Sequence, residues 1–113
     1  MSELPERGDL VWVDFTLPSG REQAAHRPAL VISPRIYNER SKLAVVCPIT
    51  SNRRPWPWKV MLPDGLALSG AVLVDQVRSI DRIARRLRFA GDAPQTVIIE
   101  VRARLAVLLG MPN

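Results

Sequence analysis

Between residues 9 and 89 the apolar residues come in short runs, each ended by proline, glycine or a polar cluster, and only the last twenty residues take a helical period. "DLVWVDF" at 9–15 alternates, with Leu10, Trp12 and Asp14 on one side and Val11, Val13 and Phe15 on the other. That is a strand rich in β formers, entered through a Gly8–Asp9 turn. Residues 16–26 read as a polar loop and 28–33 as the next strand. Residues 34–41 read as a turn or a single helical turn. "KLAVVCPI" at 42–49 is a third strand, whose Pro48 predicts an edge or a bulge. The prolines of "TSNRRPWPW" at 50–58 forbid a regular central strand, and residues 58–62 pair again after it. The turn-rich "PDGLALSG" then leads to a strand at 71–80, kinked near Asp75–Gln76, and to a short one at 85–89.

The final segment places Val97, Ile98, Val101, Leu105, Leu108 and Leu109 on one helical face. Asp92, with Gln95 three residues on, has the spacing of a capping box, and Gly110 and Pro112 supply a stop. A row of short strands closed by one helix predicts a mainly β chain of the α+β class: a small, partly open β-barrel with a C-terminal α-helix. At 113 residues, one domain spanning 1–113 is expected.

Composition narrows the function. A single cysteine, Cys47, forbids an internal disulfide, and its apolar neighbours predict a buried thiol in a reducing, cytoplasmic compartment. The first ten residues lack the apolar core of a signal peptide, and no segment is apolar enough to span a membrane. The formal charge is +5, and only Lys42 and Lys59 among the 16 basic residues are lysines. Such an arginine bias has two readings: solvated surface charge set by codon usage, or a polyanion partner such as nucleic acid.

One cysteine and one histidine cannot build a zinc site of the usual kind, and no glycine-rich loop leads from a strand into a helix. Nothing marks a nucleophile elbow. What remains is a set of arginines and hydroxyls at strand ends. Arg27 stands where a loop enters a strand, and Thr50 and Ser51 where another strand leaves the core. In an antiparallel meander the start of one strand lies beside the end of the next, so Arg27 and Thr50 can converge as a receiver for phosphate. The plainer reading pairs Arg27 with Glu22 at the surface and lets Thr50 open a turn. In "RRPWPW", Arg53 and Arg54 can hold phosphates and Trp56 can stack on an unpaired base, while Trp58 belongs to the core. Arg85, Arg86 and Arg88 form a second basic cluster, which as a bare charge run reads as a solvated face.

Taken together, "RGDLVWVDF", "EQAAHRPALVISP", "VVCPITS", "VLVDQVRSID" and the helix ending "AVLLG" resemble, in order and spacing, the MazF/PemK (Kid) toxins of type II toxin–antitoxin systems. The resemblance covers nearly the whole chain. It implies an SH3-like barrel of the CcdB/PemK kind and a metal-independent endoribonuclease, without cofactor, that cuts single-stranded RNA, chiefly mRNA, at short motifs. It further implies a homodimer, inhibited by an antitoxin whose acidic flexible tail covers the RNA groove. By the same resemblance Arg27 and Thr50 are the catalytic pair, and Glu22, Gln23, Asp75 and Gln76 support them; His26 and Ser51, each next to one of that pair in sequence, are further supporting candidates. Arg53, Arg54, Trp56, Arg78, Arg85 and Arg86 are the RNA-binding candidates. Glu22 is an alternative base or a group that orients Arg27, and His26 is a titrating group or a prop for its loop. Two competing readings use the same fold: a gyrase-poisoning toxin and a non-catalytic RNA-binding barrel. The loop "NRRPWPW" differs from the family pattern, which leaves the cut motif open.

Overall fold

The computed structural model describes residues 4–15 and 26–112. Seven strands form one antiparallel, unclosed sheet: β1 (Asp9–Asp14), β2 (His26–Val31), β3 (Leu43–Thr50), β4 (Lys59–Met61), β5 (Ala71–Leu73), β6 (Arg78–Asp81) and β7 (Arg88–Asp92). Two α-helices complete it among the described residues, α1 (Arg35–Ser41) and α2 (Gln95–Leu108). The strand order is β4-β5-β3-β2-β1-β7, with β6 also paired to β3. The expected partly open barrel with a C-terminal helix is therefore the observed architecture.

The alternation read in β1 decides how the sheet is covered. Leu10 packs into a core with Leu30, Cys47, Ile49, Val72, Val74, Val97 and Val101, beneath α2 and the β4–β5 hairpin. Val11 and Val13 face the opposite way, into a second core with Ala29, Val31, Ala44, Val46 and Ile80. Both faces of the central strands are thus buried, and their edges and ends are what remain for function. The strand expected at 71–80 is split by a 3₁₀ turn at Val74–Gln76 into β5 and β6. Both halves pair with the same edge of β3: β6 with Leu43–Val46 and β5 with Ile49–Thr50. Pro48 falls between these two partners, where a missing N–H costs no ladder bond.

Three expectations need correction. Residues 35–41 form a seven-residue helix rather than a single turn. The buried Asn38 holds it down, donating to Pro5 O (2.8 Å) and Ser33 O (3.1 Å) and accepting from Ser33 Oγ (2.5 Å). The strand expected at 85–89 begins at Arg88 instead, because Asp81 caps a tight turn over 82–86 by accepting the N–H groups of Ile83 and Ala84. Asp92 ends β7, and Pro94 stands at the start of α2 without a side-chain cap. The helical stop is as read: Gly110 takes φ 70, and Met111 N–H reaches Ala106 O at 2.8 Å. Of the expected apolar face, Val97, Ile98 and Val101 are buried and Leu105 partly so, whereas Leu109 is 61% exposed.

Candidate active site

β2 and β3 pair through Val31↔Val46, Leu30↔Cys47 and Ala29↔Pro48, and there the ladder stops. Pro28 and Pro48 have no N–H to carry it further. Two more steps along the same register set Arg27 opposite Thr50, across the opened mouth of the two strands. β2 remains paired to β1 through Val13↔Arg27 and Asp14↔His26, so Arg27 has a fixed place on a regular strand. By strand alternation it continues the face of Val31 and Ala29, and Thr50 continues that of Val46 and Pro48. The two side chains therefore share one rim, above the core built on Val11, Val13, Ala29 and Val46. Arg27 is exposed and Thr50 half-buried.

Thr50 is held on three sides. Its backbone pairs with Ala71. Its Oγ1 accepts the N–H of Asn52 at 3.1 Å, so the hydroxyl hydrogen is left to donate elsewhere. Behind it lies Gly70 at φ 123, where a Cβ would stand 3.0 Å from the Thr50 carbonyl carbon and closer still to its oxygen. The Gly70 carbonyl in turn accepts Leu62 N–H at 2.9 Å and Arg53 Nη1 at 3.0 Å. Both readings of Thr50 thus meet: it opens a turn and it presents a hydroxyl.

Asp75 and Gln76 are exposed on the 3₁₀ turn that bridges β5 to β6 beside Cys47 and Pro48. Cys47 itself is buried, and that burial, with a smaller contribution from the Asp75 charge, pushes its thiol up to about 12. It is the structural thiol expected. Arg78 opens β6 opposite Val46, and its guanidinium lies 4.8 Å from the centre of the Phe15 ring. Arg27, Thr50, Asp75, Gln76 and Arg78 accordingly border one end of the sheet.

The loop over residues 51–58 leaves Thr50 with a fixed course. Lys59 Nζ donates to Asn52 O (2.9 Å) and Arg54 O (3.0 Å), Asn52 Oδ1 accepts Arg54 N–H (2.9 Å), and Arg104 donates to Pro57 O from α2. Ser51, Arg53, Arg54 and Trp56 are exposed on this loop; Trp58, expected in the core, is only half-buried and belongs to neither of the two cores. Arg53 has one nitrogen committed to Gly70, whereas Arg54 is held through its backbone N–H and C=O and its side chain is exposed.

His26 does not join Arg27. The two are consecutive on β2 and face opposite sides. His26 stacks on Trp12, rings 5.9 Å apart and 10° from parallel, and its Nε2 meets Arg88 Nη2. Arg86 lies on this second side with them, and the half-buried Arg85 gives its carbonyl to Asp14 N–H at 2.7 Å. Glu22 and Gln23 lie outside the described residues. Gly70, Lys59 and Trp12 were not singled out from sequence. Gly70 had one signal, a glycine directly before a strand; Lys59 and Trp12 act through partners distant in the chain and had none.

The sequence matches, over residues 6–109, the family described as PemK-like, MazF-like toxin of type II toxin–antitoxin systems. It is 38% identical over 107 residues to the endoribonuclease toxin MazF of Escherichia coli K12, covering 95% of this chain and 96% of that one. It is 35% identical to the Escherichia coli endoribonuclease PemK, over 92% of this chain and 81% of the relative. Among solved structures, MazF in a MazE–MazF crystal structure from Deinococcus radiodurans superposes with a TM-score of 0.93 at 45% identity, covering 98% of this chain and all of that one.

Proposed function

Because this chain belongs to the PemK-like, MazF-like toxin family of type II toxin–antitoxin systems, we propose that it is a toxin endoribonuclease that cleaves single-stranded RNA with Arg27 and Thr50. What supports the reading is the β2–β3 register, which, continued two residues beyond its last pair Ala29↔Pro48, sets Arg27 against Thr50 on a rim that Asp75, Gln76 and Arg78 border.

The chemistry follows from these groups. The 2′-hydroxyl oxygen of the substrate attacks the neighbouring phosphorus, and the bond to the 5′-oxygen of the next nucleotide breaks. The 2′-hydroxyl proton is removed and the departing oxygen gains one, leaving a 2′,3′-cyclic phosphate and a 5′-hydroxyl. No protein nucleophile is needed, which fits a chain whose single thiol is buried and held neutral. Arg27 donates two N–H groups to the non-bridging oxygens, where negative charge accumulates in the transition state. Thr50 donates its free hydroxyl hydrogen to the same oxygens, from a position fixed by Asn52 and Gly70. A guanidinium keeps its protons at neutral pH and is a poor base there, so Arg27 serves as a charge-stabilising clamp. Glu22 is the carboxylate proposed to take the 2′-hydroxyl proton or to orient Arg27. The exposed Trp56 and Arg54 offer a stacking ring and a cation to bases and phosphates beside the cut, with Arg53, Arg78 and Arg85 as further cations along the strand.

The homodimer has a natural seat on α2. Ile99, Leu109 and Met111 are 58%, 61% and 55% exposed, and with Ile32 and Leu105 they line an apolar concavity of about 430 Å³. A second copy laid against this face would cover it. MazE–MazF complexes of the Deinococcus relative support an antitoxin partner, whose acidic segment would meet the basic rim.

The test is cleavage of a long mixed-sequence RNA in EDTA. Wild type is expected to cut it, and Arg27→Ala and Thr50→Ala each to lower turnover by roughly a hundredfold, the scale of losing one charge-stabilising donor. Near-normal rates in either variant, with folding verified, would remove that residue from the site. Binding without any cutting by wild type would return the chain to a non-catalytic RNA-binding barrel.

A further inference from the structure

The turn between β6 and β7 breaks a local rule. Asp81 starts it by accepting the N–H groups of Ile83 and Ala84, each at 3.0 Å. Leu87 N–H closes it on Arg82 O (3.0 Å) and Arg86 N–H on Ile83 O (3.1 Å). This pair of bonds is a Schellman closure, and it places Arg86 in the left-handed region at φ 50. Glycine is the residue that takes this position without steric cost. The chain uses glycine for the same closure after α2, where Gly110 has φ 70. At Arg86 it keeps a long cationic side chain on a strained backbone instead.

That side chain borders an open concavity of about 450 Å³, lined by Asp14, His26, Arg86 and Arg88. Arg88 pairs with Trp12 across β1 and β7, and His26 with Asp14 across β1 and β2, so all of them stand on one side of the sheet. The stack of His26 on Trp12 fixes the imidazole, and Arg88 Nη2 donates to its Nε2. Among the described residues, two guanidinium groups and one carboxylate line the concavity, a net positive charge. The exposed Arg86 side chain makes no hydrogen bond or ion pair among the described residues; only its backbone N–H is engaged, by Ile83 O. A strained backbone that keeps an unpaired cation aimed at a positive concavity has no local structural reward.

We propose that the concavity of His26, Arg86 and Arg88 is a phosphate subsite for the RNA strand, next to the phosphate that Arg27 holds. It rests on the endoribonuclease reading. His26 and Arg27 are consecutive residues facing opposite sides of β2, so an RNA strand crossing the exposed start of β2 passes from one site to the other. Arg86 is the free cation that receives the phosphate, and Arg88, braced by His26 and Trp12, is the second donor.

The discriminating variant is Arg86→Gly, which relieves the backbone while removing the cation. Its melting temperature is expected to equal or exceed that of wild type by a few degrees. Its affinity for a single-stranded RNA is expected to fall roughly tenfold, the scale of a charge-assisted contact. The slope of log K against log salt should become shallower by about 0.7, one phosphate's share on a single strand. Arg86→Lys is expected to recover part of both. Lys42→Gly is the control: Lys42 is the other non-glycine residue at positive φ (64) among the described residues, it closes α1 just before β3 begins, and its loss should leave RNA affinity unchanged. An Arg86→Gly protein that is folded and binds RNA with wild-type affinity and salt slope overturns the subsite, including the case in which it loses only an acidic peptide. A wild type that neither binds nor cuts RNA overturns the endoribonuclease reading itself.

Discussion

Gly70→Ala isolates how Thr50 is positioned. Two costs are separable. The backbone at φ 123 lies in a region nearly confined to glycine, which for alanine costs about 1–3 kcal/mol. The new methyl would also press on the Thr50 carbonyl and contact Ile49 Cγ2 at 3.4 Å, and forcing a group into packed structure costs about 1–3 kcal/mol more. The sum, about 2–6 kcal/mol, is a large part of the ~5–15 kcal/mol that holds a domain folded. Gly65 provides the reference, since it too has positive φ (91) but nothing within 4 Å of its Cβ position. Gly65→Ala should therefore show the strain alone. In thermal unfolding, Gly65→Ala is expected to lower Tm by about 5–10 °C and Gly70→Ala by about 10–20 °C. Relief of the contact needs Thr50 to retreat by about 1 Å, a displacement that costs on the order of a hundredfold in rate. Measured on RNA well below both Tm values, Gly70→Ala should lose kcat while Gly65→Ala keeps it. Equal Tm and equal kcat in the two variants would refute the argument that Gly70 backs the site.

Two further outcomes follow from buried groups. Asn38→Ala leaves Pro5 O, Ser33 O and Ser33 Oγ without their partner, so denaturant unfolding should show a loss of about 2–4 kcal/mol while the cut motif stays as in wild type; an unchanged midpoint would mean that α1 is held by other contacts. The Cys47 thiol is raised from the ordinary 9.0 to about 12, so its contribution to stability is complete below pH 9 and is lost as pH rises from 9 toward 12. Native protein at pH 8 should therefore resist iodoacetamide and react once denatured, and rapid alkylation of the native protein would contradict the burial.

The parts of this structure legible in the sequence were those carried by period and punctuation. Val11 and Val13 against Leu10 and Trp12 gave β1 and its two faces, and Asp75–Gln76 gave the break between β5 and β6. The β7 boundary was missed because Asp81, four residues before the expected strand, captures the chain into a turn that arginine-apolar alternation does not reveal. Leu108 and Leu109 fit the helical face by period but are exposed, so periodicity could not tell a buried face from one left uncovered. At the site, Arg27 and Thr50 were readable because each stands at a strand end. His26 was placed beside Arg27 in sequence, but strand alternation sends it to the opposite face, against Trp12. Gly70, Lys59 and Arg104 hold Thr50 and its loop through contacts of long sequence separation, which no local pattern announces.

The central claim is that this chain promotes attack by the substrate's own 2′-hydroxyl. It is tested most directly with an RNA oligonucleotide containing the mapped cut site, compared with the same oligonucleotide carrying a single 2′-deoxy sugar on the 5′ side of the scissile phosphate. With wild-type protein in EDTA, mass analysis should find a 2′,3′-cyclic phosphate and a 5′-hydroxyl from the first. The second should bind with comparable affinity and remain intact at that position. Cleavage of the deoxy oligonucleotide at that phosphate, or a 5′-phosphate on the product of the first, would contradict the account.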